Sequence, residues 1–261
     1  MGMIRGLDIF RERFRTYEGS LVLIGGAACD DWFTRQGLTF RATKDLDIVL
    51  LLEAVDHKFV ATMRKFIHDG GYEIRQRSES GPPVLYRFVK PTNTDFPHML
   101  ELFSRAPEGI DLGDDQTIVP IPLDEAVHSL SAILVKDIYH NLIREHADAR
   151  DGIAFANATA LIPLKAYAWL DLSERQARGE PIDSKDISKH RADVFRLAGT
   201  LPGEPGPLLP PEIRADLSRF LDAFPDESAE WPAILASIKS TLGGNIKPAS
   251  LRSAIHAYFA I

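Results

Sequence analysis

The stretch RATKDLDIVLLLE, residues 41–53, opens a nearly continuous apolar run with two carboxylates, Asp45 and Asp47, one residue apart. A short run rich in Ile, Val and Leu reads as a strand covered on both faces. Successive strand side chains point to opposite faces, so Asp45 and Asp47 project on the same side. Two like charges held that close raise one pKa or demand a counter-charge, and a divalent cation such as Mg²⁺ or Mn²⁺ neutralises both at once. The competing reading places both acids in a solvated loop ahead of the strand, where acidic residues are mostly found.

Two features weigh against the loop. LVLIGG, residues 21–26, reads as an apolar strand ending on the pair Gly25 and Gly26, with helical composition in the following AACDDWFTRQG. Such a junction lets backbone N–H groups and a helix N-terminus approach a phosphate closely. The other is Glu101 in HMLELFS, an acid on a strand whose neighbours are Met99, Leu100, Leu102 and Phe103. Burial of an unpaired carboxylate there is costly, and a metal shared with the aspartates would remove the cost; alone, Glu101 would equally suit the solvent face of a half-covered strand.

The remaining pattern divides the chain. Helices are expected at residues 7–18 and about 56–69, the latter stopping at Gly70 and Gly71, with a hairpin of YEIRQRS and VLYRFVK around ESGPP and an edge strand in QTIVPIP. After Pro122 the periodicity is helical to the end, broken chiefly by GTLPGEPGPLLPP at 199–211. This implies an α+β (or α/β) head, a small mixed sheet with flanking helices over residues 1–122, followed by a helical region over 123–261.

The strand ending in Gly-Gly, the helix, the acidic pair in KDLDIVL and the later acidic strand LELF resemble the polymerase-beta-like nucleotidyltransferase superfamily. RATKDLDIVL is especially similar to small bacterial members in which Arg and Thr precede the acidic pair, with TRQGLTF read as an insertion. Residues 161–199, LIPLKAYAWLDLSERQARGEPIDSKDISKHRADVFRLAG, resemble the AbiEii-type nucleotidyltransferase toxin family, in which a Lys and an Asp of this region join the active site; the matching positions are Lys165 and Asp186. The resemblance implies transfer of an NMP from an NTP. Asp45, Asp47 and Glu101 would hold Mg²⁺ or Mn²⁺, Gly25 and Gly26 would cradle phosphate oxygens, Lys165 would bind the β- or γ-phosphate, and Asp186 would orient that lysine. It further implies an RNA such as tRNA or a protein as acceptor, and a role as a toxin with a cognate antitoxin or in phage defence. The alternatives are transfer to a small molecule, as in antibiotic resistance, and a catalytically inactive nucleotide-binding module.

Composition narrows the setting. A net charge of -7 argues against unspecific nucleic-acid binding by a globally basic surface, and the single cysteine, Cys29, excludes an internal disulfide. No apolar run suits a membrane helix or a secretory signal, so a cytoplasmic protein is expected. The basic residues between 175 and 196 alternate with acids and read as a solvated helix face. Asp30 and Asp31 are adjacent on a helix and diverge too far to share an ion. His140 and His146 read as surface residues, and Trp32, Trp169 and Trp231 as core.

Overall fold

The computed structural model of this chain describes residues 4–74, 86–106, 118–120 and 131–261. It is a mixed α and β protein in two compact units, Met1–Asp31 with Ala42–Asn157, and Trp32–Arg41 with Ala158–Ile261.

The first unit opens with α1 (Leu7–Phe14), a 3₁₀ stretch at Arg15–Ser20, β1 (Leu21–Ile24) and α2 (Gly25–Thr34), within which the division between units falls. It continues with β2 (Asp45–Leu50), α3 (His57–Gly70), β3 (Glu73–Ile74), β4 (Arg87–Val89), β5 (Met99–Ser104), β6 (Ile118–Pro120), β7 (Ser131–Leu134), α4 (Asp137–Glu145), β8 (Ala147–Arg150) and β9 (Ile153–Ala156). The strands form one sheet in the order β3-β4-β5-β2-β1-β9-β8, with β7 paired to β5 and β6 to β7. β2 lies antiparallel to β1 and parallel to β5, so the acidic strand sits between the two that carry Gly25 and Glu101.

Local chemistry explains these elements. α3 starts where the Asp56 side chain accepts the Phe59 N–H at 2.7 Å and ends at Gly71, whose φ of 60° is the left-handed cap that glycine adopts freely. α1 and α3 pack through Phe10, Phe14, Phe59 and Phe66, with ring centroids 5.5 Å apart for Phe10–Phe66 and 5.7 Å for Phe14–Phe59. All four rings are fully buried, each worth roughly 1.5–3 kcal/mol of transfer free energy.

The second unit comprises α5 (Ala158–Ala177), α6 (Ser184–Ala198), α7 (Pro211–Asp222), α8 (Trp231–Leu242) and α9 (Pro248–Phe259), with the segment Trp32–Arg41. Proline stands in the first turn of α7, α8 and α9, where its missing N–H costs nothing. Phe195, Phe220, Phe224 and Trp231 form its core, and Trp169 lies edge-on to Phe220 at 5.4 Å. The Trp32 indole N–H donates to Thr200 Oγ1 at 2.9 Å, and Phe33 stacks on Phe40, so the segment read as an insertion belongs with the helices.

The sheet therefore continues past Pro122: β7, β8 and β9 lie in the stretch expected to be helical, and helix alone begins at Ala158. β8 and β9 are four residues each, too short to imprint a period of two against the neighbouring helical pattern. The expected first helix is a shorter helix followed by a 3₁₀ stretch. Of the expected hairpin the described ends pair antiparallel, Glu73 opposite Val89, while ESGPP lies outside the described residues. Among the described residues β6 pairs with β7 alone, as an edge strand should. The break between α6 and α7 coincides with the Pro- and Gly-rich run.

Candidate functional site

The register of the sheet aligns one row of side chains across four strands. Arg87 on β4 is opposite Glu101 on β5, Glu101 is opposite Asp47 on β2, and Asp47 is opposite Ile24 on β1. Directly paired residues project to the same face, so Arg87, Glu101 and Asp47 share one side, with Asp45 two positions along on that side. Asp45 and Asp47 are half-buried; Leu46, Ile48 and Leu50, which alternate with them, face the core and are fully buried. The solvated-loop reading of the acidic pair is thereby excluded.

Glu101 is 9% exposed and finds its counter-charge in Arg87, whose Nε donates to Glu101 Oε1 at 2.5 Å and whose Nη2 pairs with the same oxygen. Asp45 Oδ1 is buried and has no hydrogen-bond partner. Among the described residues no three His, Cys, Asp or Glu side chains form a ready metal cage. The acids nonetheless suit a hard divalent ion: they offer only oxygen donors, two of them held on one face, and one buried oxygen without a partner.

β1 runs directly into α2 at Gly25 and Gly26. Gly25 has φ of 62°, and a Cβ there would overlap Asp47 Oδ2; a Cβ on Gly26 would overlap Thr43 Oγ1. Gly25, at a φ that favours glycine, lies against Asp47, and Gly26 lies against Thr43; together they open a helix whose first N–H groups have no intrahelical partner.

In the helical unit Lys165 on α5 is buried and pairs with Asp193 on α6, Nζ to Oδ2 at 3.0 Å. Asp193, itself fully buried, also accepts Arg41 Nη2 at 2.9 Å and Arg41 Nε at 3.3 Å, and pairs with Arg196 Nη1. Burial pushes the Asp193 carboxyl up, but the charges of Lys165, Arg41 and Arg196 and the hydrogen bond from Arg41 outweigh it and hold it well below the usual carboxylate range. His190, three residues before Asp193, is pushed down to about 3 by burial and by the Lys165 charge, and its Nδ1 is buried without a hydrogen-bond partner. Asp186 does not orient Lys165: it lies two turns earlier on α6, exposed, and Asp193 takes that place.

No family model, curated protein or solved structure matches the chain.

Arg87 and Asp193 escaped sequence reasoning for different reasons. Arg87 lies in the expected hairpin strand VLYRFVK, but only the β4–β5 register reveals that it faces Glu101. Asp193 follows Asp186 by seven residues, the helical repeat that keeps both on one face, so the pattern signalled the face without choosing the buried member. His140 is corrected outright. Its ring is fully buried, Nε2 lies 3.1 Å from the Leu50 carbonyl oxygen, and burial pushes its pKa down; α4 carries Tyr139, His140, Leu142 and Ile143 on its inner face. The basic run 175–196 is a solvated face at Arg175 and Arg178, which pair with Glu180, but Arg196 is buried on Asp193. Asp31 pairs with Arg150 at 2.9 Å, and Asp30 is raised by burial and by Asp31. Among the described residues no helix is long and apolar enough to cross a membrane.

Proposed function

We propose that this protein is a metal-dependent nucleotidyltransferase that moves an NMP from an NTP onto an RNA, such as a tRNA, or onto a protein hydroxyl, in a toxin–antitoxin or phage-defence setting. The observation that carries the reading is the acidic strand β2 lying beside the Gly25–Gly26 helix start, with Asp47 Oδ2 filling the space a Cβ on Gly25 would need and Asp45 Oδ1 left without a partner.

In such a transfer an acceptor oxygen attacks the α-phosphorus, the bond to the bridging oxygen breaks, and pyrophosphate leaves with that electron pair. Asp45 and Asp47 would hold Mg²⁺ or Mn²⁺, which when bound neutralises phosphate charge. Gly25 and Gly26 let Asp47 and Thr43 lie close against the start of α2, whose first N–H groups would meet a phosphate. Glu101 keeps Oε2 free of hydrogen bonds among the described residues, and that oxygen can take the proton of the incoming hydroxyl. Lys165, buried in the second unit, is held by Asp193, in the place expected of Asp186.

Purified protein incubated with Mg²⁺, each labelled NTP and total RNA or protein should transfer label with release of pyrophosphate. Asp47→Ala should lower the transfer by at least about 10²–10³-fold, the loss expected when a charge-stabilising group is removed. Equal labelling by the variant defeats the reading. The Arg87–Glu101 pair favours one second reading, a module that binds nucleotide without turnover, because the third carboxylate is partly neutralised. Calorimetry with ATP and Mg²⁺ beside the transfer assay separates the two: heat of binding with no pyrophosphate selects the module.

A further inference from the structure

We infer that Arg87 is the acceptor-side contact of this face: its guanidinium grips the phosphodiester that lies beside the attacking hydroxyl of an RNA. This rests on the nucleotidyltransferase reading and deepens it.

The sheet sets an order along the face. From β1 outward the row of paired residues is Ile24, Asp47, Glu101 and Arg87, carried on β1, β2, β5 and β4. Gly25, which follows Ile24 and starts α2, marks the end of the row where the triphosphate lies in that reading. In-line displacement puts the attacking and leaving oxygens on opposite sides of the phosphorus. With pyrophosphate leaving toward Gly25, the acceptor enters from the side of Glu101 and Arg87.

Arg87 is equipped for an anionic acceptor. Its Nε donates to Glu101 Oε1 and its Nη2 pairs with the same oxygen, so one edge of the planar fork is anchored and its direction fixed. Among the described residues no acceptor meets Nη1, and the side chain is 36% exposed. The Nη1–Nη2 edge is thereby left for a two-pronged contact, the geometry that suits a phosphate. A protein hydroxyl carries no charge next to its oxygen, whereas an RNA hydroxyl belongs to a ribose with a phosphodiester attached. Adjacent strands lie about 4.8 Å apart, so a hydroxyl held at Glu101 sets that phosphodiester over the neighbouring strand, where Arg87 stands. With a net charge of -7 the chain has no globally basic surface for RNA, and placed cations carry that task.

Binding of a 5′-labelled RNA with a single-stranded 3′ end to the full chain, followed by fluorescence anisotropy over a range of salt, tests this without turnover. Arg87→Gln should weaken binding about 10-fold, the loss of one hydrogen-bonded charge, and flatten the slope of log affinity against log salt by about one. Its affinity for ATP with Mg²⁺, measured by calorimetry, should stay as in the wild type. The same loss of RNA should appear when Arg87→Gln is made in Glu101→Gln, where no carboxylate is left for the arginine to position. Arg87→Lys keeps the charge and the pair with Glu101; it should keep the slope and lose affinity about threefold, because an ammonium lacks the fork, and it decides the matter where Arg87→Gln does not fold. Unchanged RNA affinity in folded Arg87→Gln or in Arg87→Lys, a loss that vanishes in the Glu101→Gln background, or label passing to protein alone overturns the inference and leaves nucleotidyl transfer standing. RNA bound as expected but never labelled by the wild-type protein overturns the reading beneath, and the acceptor role of Arg87 with it.

Discussion

Glu101 in the sheet and Asp193 in the helices are both buried acids beside cations, and the two are neutralised differently. Asp193 in the helices is fully buried, and both oxygens are occupied: Arg41 reaches both, Lys165 takes Oδ2 and Arg196 takes Oδ1. Glu101 in the sheet has one guanidinium on one oxygen, and stands in register with Asp47. Saturation on that scale fixes positions, as a keystone of packing does. Partial neutralisation leaves one Glu101 oxygen that can still attract positive charge.

The contrast predicts unequal costs of removal. Asp193→Asn leaves Lys165 and Arg196 buried without their carboxylate and should lower the unfolding free energy by about 3–5 kcal/mol. Glu101→Gln strands only Arg87, which is 36% exposed, and should cost about 1–3 kcal/mol. Urea denaturation of both variants decides; equal costs would break the distinction. The pH dependence has a definite sign. The folded Asp193 carboxyl lies below its unfolded value of 3.8, so its stabilisation is complete above that value and is lost as pH falls through the folded one. The gap between wild type and Asp193→Asn should therefore narrow in acid.

His190 sharpens the same point one turn away. Its folded pKa of about 3 lies below the ordinary 6.5, so the unfolded chain takes up the proton first, and stability present above 6.5 drains as pH falls toward 3. One such proton gives a slope of up to about 1.4 kcal/mol per pH unit, lessened by the ring's partial exposure. His190→Gln should flatten the stability profile between about pH 4.5 and 6.5, above the range in which Asp193 titrates. An unchanged slope would show that the imidazole is solvated.

What the sequence could and could not announce follows from the range of each interaction. β1, β2 and β5 were legible because each is a short apolar run bounded by turn residues, and the shared side of Asp45 and Asp47 follows from a period of two within a single strand. The end of α3 was legible because Gly70 and Gly71 act locally. The partners of the charges were not, since Arg87 meets Glu101 through strand register, and Arg41 meets Asp193 from 152 positions away in the chain. His140 misled because one polar residue on an amphipathic face gives no sign of which way it points.

At the glycine notch the expected effect on stability is smaller and the effect on function larger. Gly25→Ala puts an L-residue at a φ of 62°, which costs about 1–2 kcal/mol, and its Cβ must displace the Asp47 carboxylate. Thermal melting should show a modest loss, while transfer and Mn²⁺ affinity fall as they do in Asp47→Asn. Melting alone affected, with metal binding intact, would mean that the closeness of Gly25 to Asp47 serves packing only.

The smallest effect belongs to Asp186. It is exposed in the first turn of α6, where its charge meets the helix N-terminus and no cation is paired with it among the described residues. Asp186→Asn should change the unfolding free energy by no more than about 0.5 kcal/mol, as surface substitutions do. It should also leave the acid limb of the stability profile, set by Asp193, where it is. Were Asp186→Asn instead to shift that limb as Asp193→Asn does, the two acids would be one electrostatic unit, and the saturation of Asp193 by Lys165, Arg41 and Arg196 would not be the self-contained feature that separates the helices from the sheet.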